Sequence, residues 1–167
     1  MAFPPARITV AVGVPKAVIK VAGRAAVERT RDFKAAVQNL AAGGVREIHV
    51  DLSECLLMDS MFSGMVATLA SGPELKFTLV DANQRVTDLL ANLGALRFFQ
   101  LASGTEGTPE VGPAVELPVS AYEKRATTEC CLESHLFLMR LQKENEARFQ
   151  TLEKVLQAEL SELPPAP

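Results

Sequence analysis

Apolar residues alternate with others at period two over residues 6–14, where Ile8, Val10, Val12 and Val14 share one side of an extended chain, and Pro15 ends the run. Residues 16–25 carry Val18, Ile19 and Val21 and form a second strand. A turn at Val14–Lys16 makes the two a hairpin, and Gly23 is the expected stop. The period then changes. Phe33, Ala36, Val37 and Leu40 fall at i, i+3, i+4 and i+7, which predicts a helix over 30–42, with Thr30 or Asp32 as its cap and Gly43-Gly44 as its end. Residues 46–51 read as a buried strand, followed by a short connection through Ser53-Glu54-Cys55. Leu56, Leu57 and Met58 then lead up to Asp59. A helix is expected over 60–71 with Phe62, Met65, Val66 and Leu69 on its apolar side, and Gly72-Pro73 after it. A strand over 76–82, a helix over 84–92 stopped by Gly94, and a last strand over 96–102 complete the pattern.

Strand and helix signals alternating in this order predict an α/β domain, a sheet covered by helices, over residues 1–102. The composition then shifts. Residues 103–118 hold Gly104, Gly107, Pro109, Gly112, Pro113 and Pro118 with Glu106, Glu110 and Glu116, the pattern of a solvated linker. From Ser120 to Leu163 proline and glycine disappear and helix formers dominate, so 119–163 reads as a helical tail. Leu138, Leu141, Phe149, Leu152, Leu156, Leu160 and Leu163 recur at spacings of three and four once Asn145 takes a polar slot. One long helix and two helices with a break near 142–145 both fit, Asn145 being a natural cap for the second. The stripe must be buried on the chain's own sheet or against a second copy.

Composition narrows the function classes. The chain has 167 residues, is 48% hydrophobic and carries a net charge of −3, so the basic footprint of a nucleic-acid binder is missing. Apolar runs fall short of the roughly 18–20 residues that span a bilayer, and the N-terminal residues do not have the basic-then-apolar layout of a signal peptide. A cytoplasmic protein without direct membrane insertion is expected. Cys55, Cys130 and Cys131 are an odd set without a CxxC pair, and His49 and His135 are far apart, so no disulfide framework and no metal site are predicted. The cysteine pair reads as packing residues, His135 as a surface or core polar residue rather than a ligand, and the charges of 140–154 as a solvated helix face. Without a GxSxG, a phosphate-binding glycine loop or an HExxH, no catalytic apparatus and no cofactor are predicted.

The chemistry concentrates in "LLMDSMFSGM", residues 56–65, where a strand hands over to a helix. Ser60 can cap the first turn, Asp59 suits the positive end of the helix dipole, and a hydroxyl presented at a helix N-terminus can also accept a phosphate. Asp81 could orient the loop near Asp59, or be a turn residue ahead of Asn83, the cap of the following helix.

Residues 45–70, VREIHVDLSECLLMDSMFSGMVATLA, resemble the central motif of STAS domains, the family of anti-sigma factor antagonists. Asp51-Leu52-Ser53, Asp59-Ser60 and Gly64 fall at the family spacing. The resemblance extends over about residues 6–102 and implies a small mixed sheet covered by helices, with a C-terminal helical extension. The tail is similar to that of a subgroup with an "EN..RF" run, here Glu144-Asn145 and Arg148-Phe149.

The resemblance implies a non-enzymatic module that binds an anti-sigma factor or serine kinase-type ATPase through Asp59, Ser60, Met61, Phe62, Ser63 and Gly64. The family's switch is phosphorylation of a hydroxyl residue, which breaks that complex. Aligned from Asp59, the acceptor position is Met61, which has no hydroxyl. Ser60 matches the preceding serine and is the one substitute; Ser63 lies two residues beyond the acceptor position and faces elsewhere. Three readings follow: a constitutively binding antagonist, a switch moved to Ser60, or an interaction module outside partner switching. Two broader alternatives stand beside them. One is a STAS-like accessory subunit of a membrane lipid-transport ABC system; the other is a scaffold that self-associates, as a homodimer, through the tail.

Overall fold

The computed structural model describes residues 4–104 and 108–167; Glu106 and Gly107 of the expected linker lie outside them. Strands β1 (Arg7–Gly13) and β2 (Lys16–Ala25) form the antiparallel hairpin, with Gly13 opposite Lys16. Helix α1 (Val27–Ala42) follows, then β3 (Glu47–Asp51), β4 (Cys55–Met58), α2 (Ser60–Ala70), β5 (Lys76–Val80), α3 (Gln84–Asn92), β6 (Gln100–Ala102) and β7 (Val115–Glu116). Two long helices close the chain, α4 (Lys124–Leu141) and α5 (Lys143–Glu162). The sheet is mixed, in the order β6-β5-β3-β2-β1-β7, with β4 pairing separately to β2. Ile19, Ile48, Val50, Phe77 and Leu79 of the central strands are at most 1% exposed and share one face of the sheet. Phe33 and Val37 of α1 and Phe62 and Val66 of α2 pack into the same core, with Phe33 and Phe62 tilted against each other at 5.1 Å.

Several local expectations are corrected. Gly23 does not end the second strand. At φ 98° it makes a left-handed step that lets β2 change partner, from β3 before it to β4 after it. Residues 55–58, expected as a run leading to Asp59, are thereby a strand in their own right. Helix α1 starts three residues earlier than expected, and neither Thr30 nor Asp32 caps it. Both lie within the helix, where Thr30 donates to the Ala26 carbonyl and Asp32 receives Arg29. The last strand, expected over 96–102, is a 3-10 turn (Leu96–Phe98) and then the short β6. Asn83 does cap α3, accepting from the Val86 N–H at 2.9 Å, and Asp81 is a turn residue at φ 55° whose carboxylate accepts from the Gly104 N–H.

The expected linker is built into the fold. Residues 115–116 add an antiparallel edge strand to β1, and Arg7 pairs with Glu116. Just beyond them, the buried Arg29 guanidinium donates to the carbonyls of Leu117 and Pro118 and to Asp32. Asp32 in turn accepts the Ser120 hydroxyl and N–H.

The two tail helices turn at Gln142 and run back along each other as a hairpin. Asn145 does not cap α5. It is buried inside the helix, and its amide donates at 2.8 Å to the carbonyls of Leu93 and Leu138. Leu138 and Phe149 join the main core, so the stripe is buried, in part, on the chain's own domain.

Candidate functional site

The joint between β4 and α2 is organised by Asp59. Its Oδ1 accepts from the Phe62 N–H at 2.8 Å and its Oδ2 from the Val27 N–H at 3.0 Å. One carboxylate therefore caps both α1 and α2, because the bulge in β2 carries Ala25 alongside Met58 and brings the two helix starts together. Burial pushes the Asp59 carboxyl above its ordinary range, and the two backbone N–H donors pull it partly back.

Ser60 is not the cap. It occupies the first helical position of α2, and its hydroxyl meets His135 Nε2 of α4 at 2.9 Å. The other ring nitrogen, Nδ1, lies 2.7 Å from the Cys131 carbonyl and must donate to it. Nε2 is then the acceptor and Ser60 the donor. The His135 ring also packs edge-on against Phe149 of α5 at 4.8 Å. Burial holds the imidazole pKa below its ordinary value.

The rest of the expected binding surface is covered. Met61, Phe62, Ser63 and Gly64 are at most 3% exposed or buried outright. Phe62 faces the main core. Ser63 is directed back at Met58, with its hydroxyl 3.9 Å from the thioether. Met61 and Met65 face the other way and form a small separate cluster with Cys130 of α4. Gly64 marks the closest crossing of α2 and α4: a Cβ there would lie 2.7 Å from the Ser134 carbonyl oxygen and 3.1 Å from Leu138. The expectation of an open surface at 59–64 is corrected in this respect, since only Asp59 and Ser60 keep partial exposure. The chain's own tail provides the cover.

The constellation does not make a hydrolytic triad. Both Asp59 oxygens are spent on backbone N–H groups, His135 Nδ1 is spent on a carbonyl, and His135 is 2% exposed. Among the described residues no group of three His, Cys, Asp or Glu side chains is placed to hold a metal, and no helix is long and apolar enough to cross a membrane. Cys130, Cys131 and His135 are site residues that the sequence reading set aside, and Ser134 is one it missed. Their signal was present in the spacing of four between Cys130 and Ser134 and between Cys131 and His135, opposite a helix carrying Gly64.

The mixed sheet with its strand-to-helix joint at Asp59-Ser60 defines a small α/β domain. The chain belongs to the STAS family: the model described as "Mlab, STAS domain" matches residues 9–100, more than half of the chain. Solved structures agree on the fold. An anti-sigma factor antagonist from Mycobacterium paratuberculosis is 17% identical with a TM-score of 0.55, over 64% of this chain and 93% of that one. A candidate anti-sigma factor antagonist from Thermotoga maritima is 19% identical with a TM-score of 0.52, over 58% of this chain and 86% of that one. Comparison with curated protein sequences gives no match.

Proposed function

We propose that this chain is a cytoplasmic, non-enzymatic signalling module that binds a protein partner through the surface at the start of α2, as an anti-sigma factor antagonist does. The partner of this reading is an anti-sigma factor or serine kinase-type ATPase. The observation that carries it is the family match over residues 9–100, with Asp59 and Ser60 in the family frame. Met61 stands at the phosphoacceptor position and Ser60 already hydrogen-bonds His135, so binding is not cleared by phosphorylation at the usual place. A second reading, an accessory subunit of a membrane lipid-transport ABC system, is favoured by the description "Mlab" of the matching family.

Affinity purification of the full chain from its native cell, with identification of what co-purifies, separates the two. Recovery of a kinase-type ATPase supports the first reading and transporter subunits support the second; recovery of neither removes both. Incubated with the recovered kinase and ATP, the chain is expected to gain no phosphate. A gain of one phosphate that is lost in Ser60→Ala would move the switch to Ser60.

A further inference from the structure

The face of α2 that presents Met61 and Met65 is covered by α4, and the way α4 is held differs along its length. Its C-terminal end is fixed deeply: Leu138 is fully buried in the main core, and Asn145, just past the turn, donates to the Leu93 and Leu138 carbonyls. Gln142 adds a bond to the Asn92 carbonyl. Towards its N-terminus the helix's own hold on the domain is slighter, although the strap before it is fixed where Ser120 bonds Asp32. Cys130 packs with Met61 and Met65 in a cluster apart from the main core, His135 takes the Ser60 hydroxyl, and surface ion pairs join Lys34 to Glu133 and Arg31 to Glu123. Exposed ion pairs of this kind contribute little. The first turn of α4 is also tied to α5: Arg125 donates to the carbonyls of Leu160, Leu163 and Pro164, and Lys124 pairs with Glu159. The two helices therefore hold each other at the end where their hold on the domain is weakest.

We infer that the α4–α5 hairpin is an autoinhibitory cap, which lifts about its Leu138–Asn145 end, with release of Ser120 from Asp32, to expose Met61 and Met65 of α2. This rests on the proposed function, which places the partner surface at the start of α2. A partner then competes with α4, and its apparent affinity falls by the fraction of time the cap is open. Gly64 permits the closed state, because the α4 backbone crosses α2 where a side chain would stand. The device also gives a role to the loss of an acceptor hydroxyl at position 61: access to the surface is controlled by a helix of the same chain.

The chain contains its own reporters. Cys130 lies under the cap and Cys55 lies in the main core; both are buried, and burial pushes both thiols up to about 11. Each thiol therefore reacts only once its surroundings open, and the two rates compare the opening of the cap with the opening of the core. Alkylation of the native full chain by iodoacetamide, followed by fragmentation to separate Cys130 from its neighbour Cys131, compares their exposure. A cap that opens locally makes Cys130 react at least about tenfold faster than Cys55, since local opening costs less than global unfolding. Equal rates would overturn the inference. Ser134→Trp, which forces bulk into the crossing at Gly64, is expected to raise the Cys130 rate at least about tenfold further and leave Cys55 unchanged. If both rates rise together, the hairpin is not separable from the core and the inference fails. No partner enters either measurement, so a failure to recover an ATPase counts against the proposed function alone.

Discussion

Asp59 shows how one side chain can carry two structural duties where two helices begin. Sequence context makes it a cap for the helix it precedes; the fold also gives it the N–H of Val27 from a helix 32 positions earlier. Each cap is worth about 0.5–2 kcal/mol. Asp59→Ala is therefore expected to cost about 1–3 kcal/mol in urea denaturation, with Asp59→Asn in between. A loss below half a kilocalorie would mean that water takes over both N–H groups. Beside it, the Met61 thioether packs against Met65 and Cys130.

At the scale of elements, the segment 108–120 departs most from its composition. Proline, glycine and glutamate suggest a solvated tether, yet β7 pairs with β1 and the following carbonyls are gathered by Arg29, which is 1% exposed. A buried cation of this kind is stable only with its partners in place. Arg29→Met strands Asp32 and frees the Leu117 and Pro118 carbonyls, at an expected cost of about 3–5 kcal/mol. Hydrogen exchange should show residues 115–120 losing protection before the central strands do. If the strap stays protected in Arg29→Met, β7 pairing alone holds it. The same segment fixes where α4 begins, so the strap sets the entry of the cap onto the domain.

At the scale of the whole molecule, His135 is a buried, titratable link between the tail hairpin and the domain. It faces Ser60 and Asp59 from α2, Cys131 on its own helix and the Phe149 ring from α5. Burial lowers its pKa from 6.5, so the unfolded chain takes up this proton at a higher pH than the folded one. The contribution is fully present above pH 6.5 and is lost as pH falls through 6.5 towards the folded value. Asp59 acts in the opposite sense and lower down: its pKa is raised from 3.8, so the folded chain binds that proton first and acidification there is favourable. Urea midpoints should therefore fall between pH 7.5 and 5.5, and His135→Gln should flatten that slope. An unchanged slope in His135→Gln would assign it elsewhere.

Much of this was legible along the chain because it depends on neighbours in sequence. Period-two and period-3.6 patterns marked the central strands and α1, α2 and α3, and the Asp59-Ser60 frame with its missing acceptor at Met61 could be read directly. Contacts between distant segments could not. The carboxylate of Asp59 reaching Val27, the bulge at Gly23 that recruits β4, the strap under Arg29, and His135 against Ser60 all join residues whose separation in sequence carries no local signal. Periodicity identified an apolar stripe in the tail, but a stripe specifies only that it must be buried. Tertiary structure decided that α4 lies across α2, because Gly64 lets one backbone approach the other and Leu138 and Asn145 anchor the crossing.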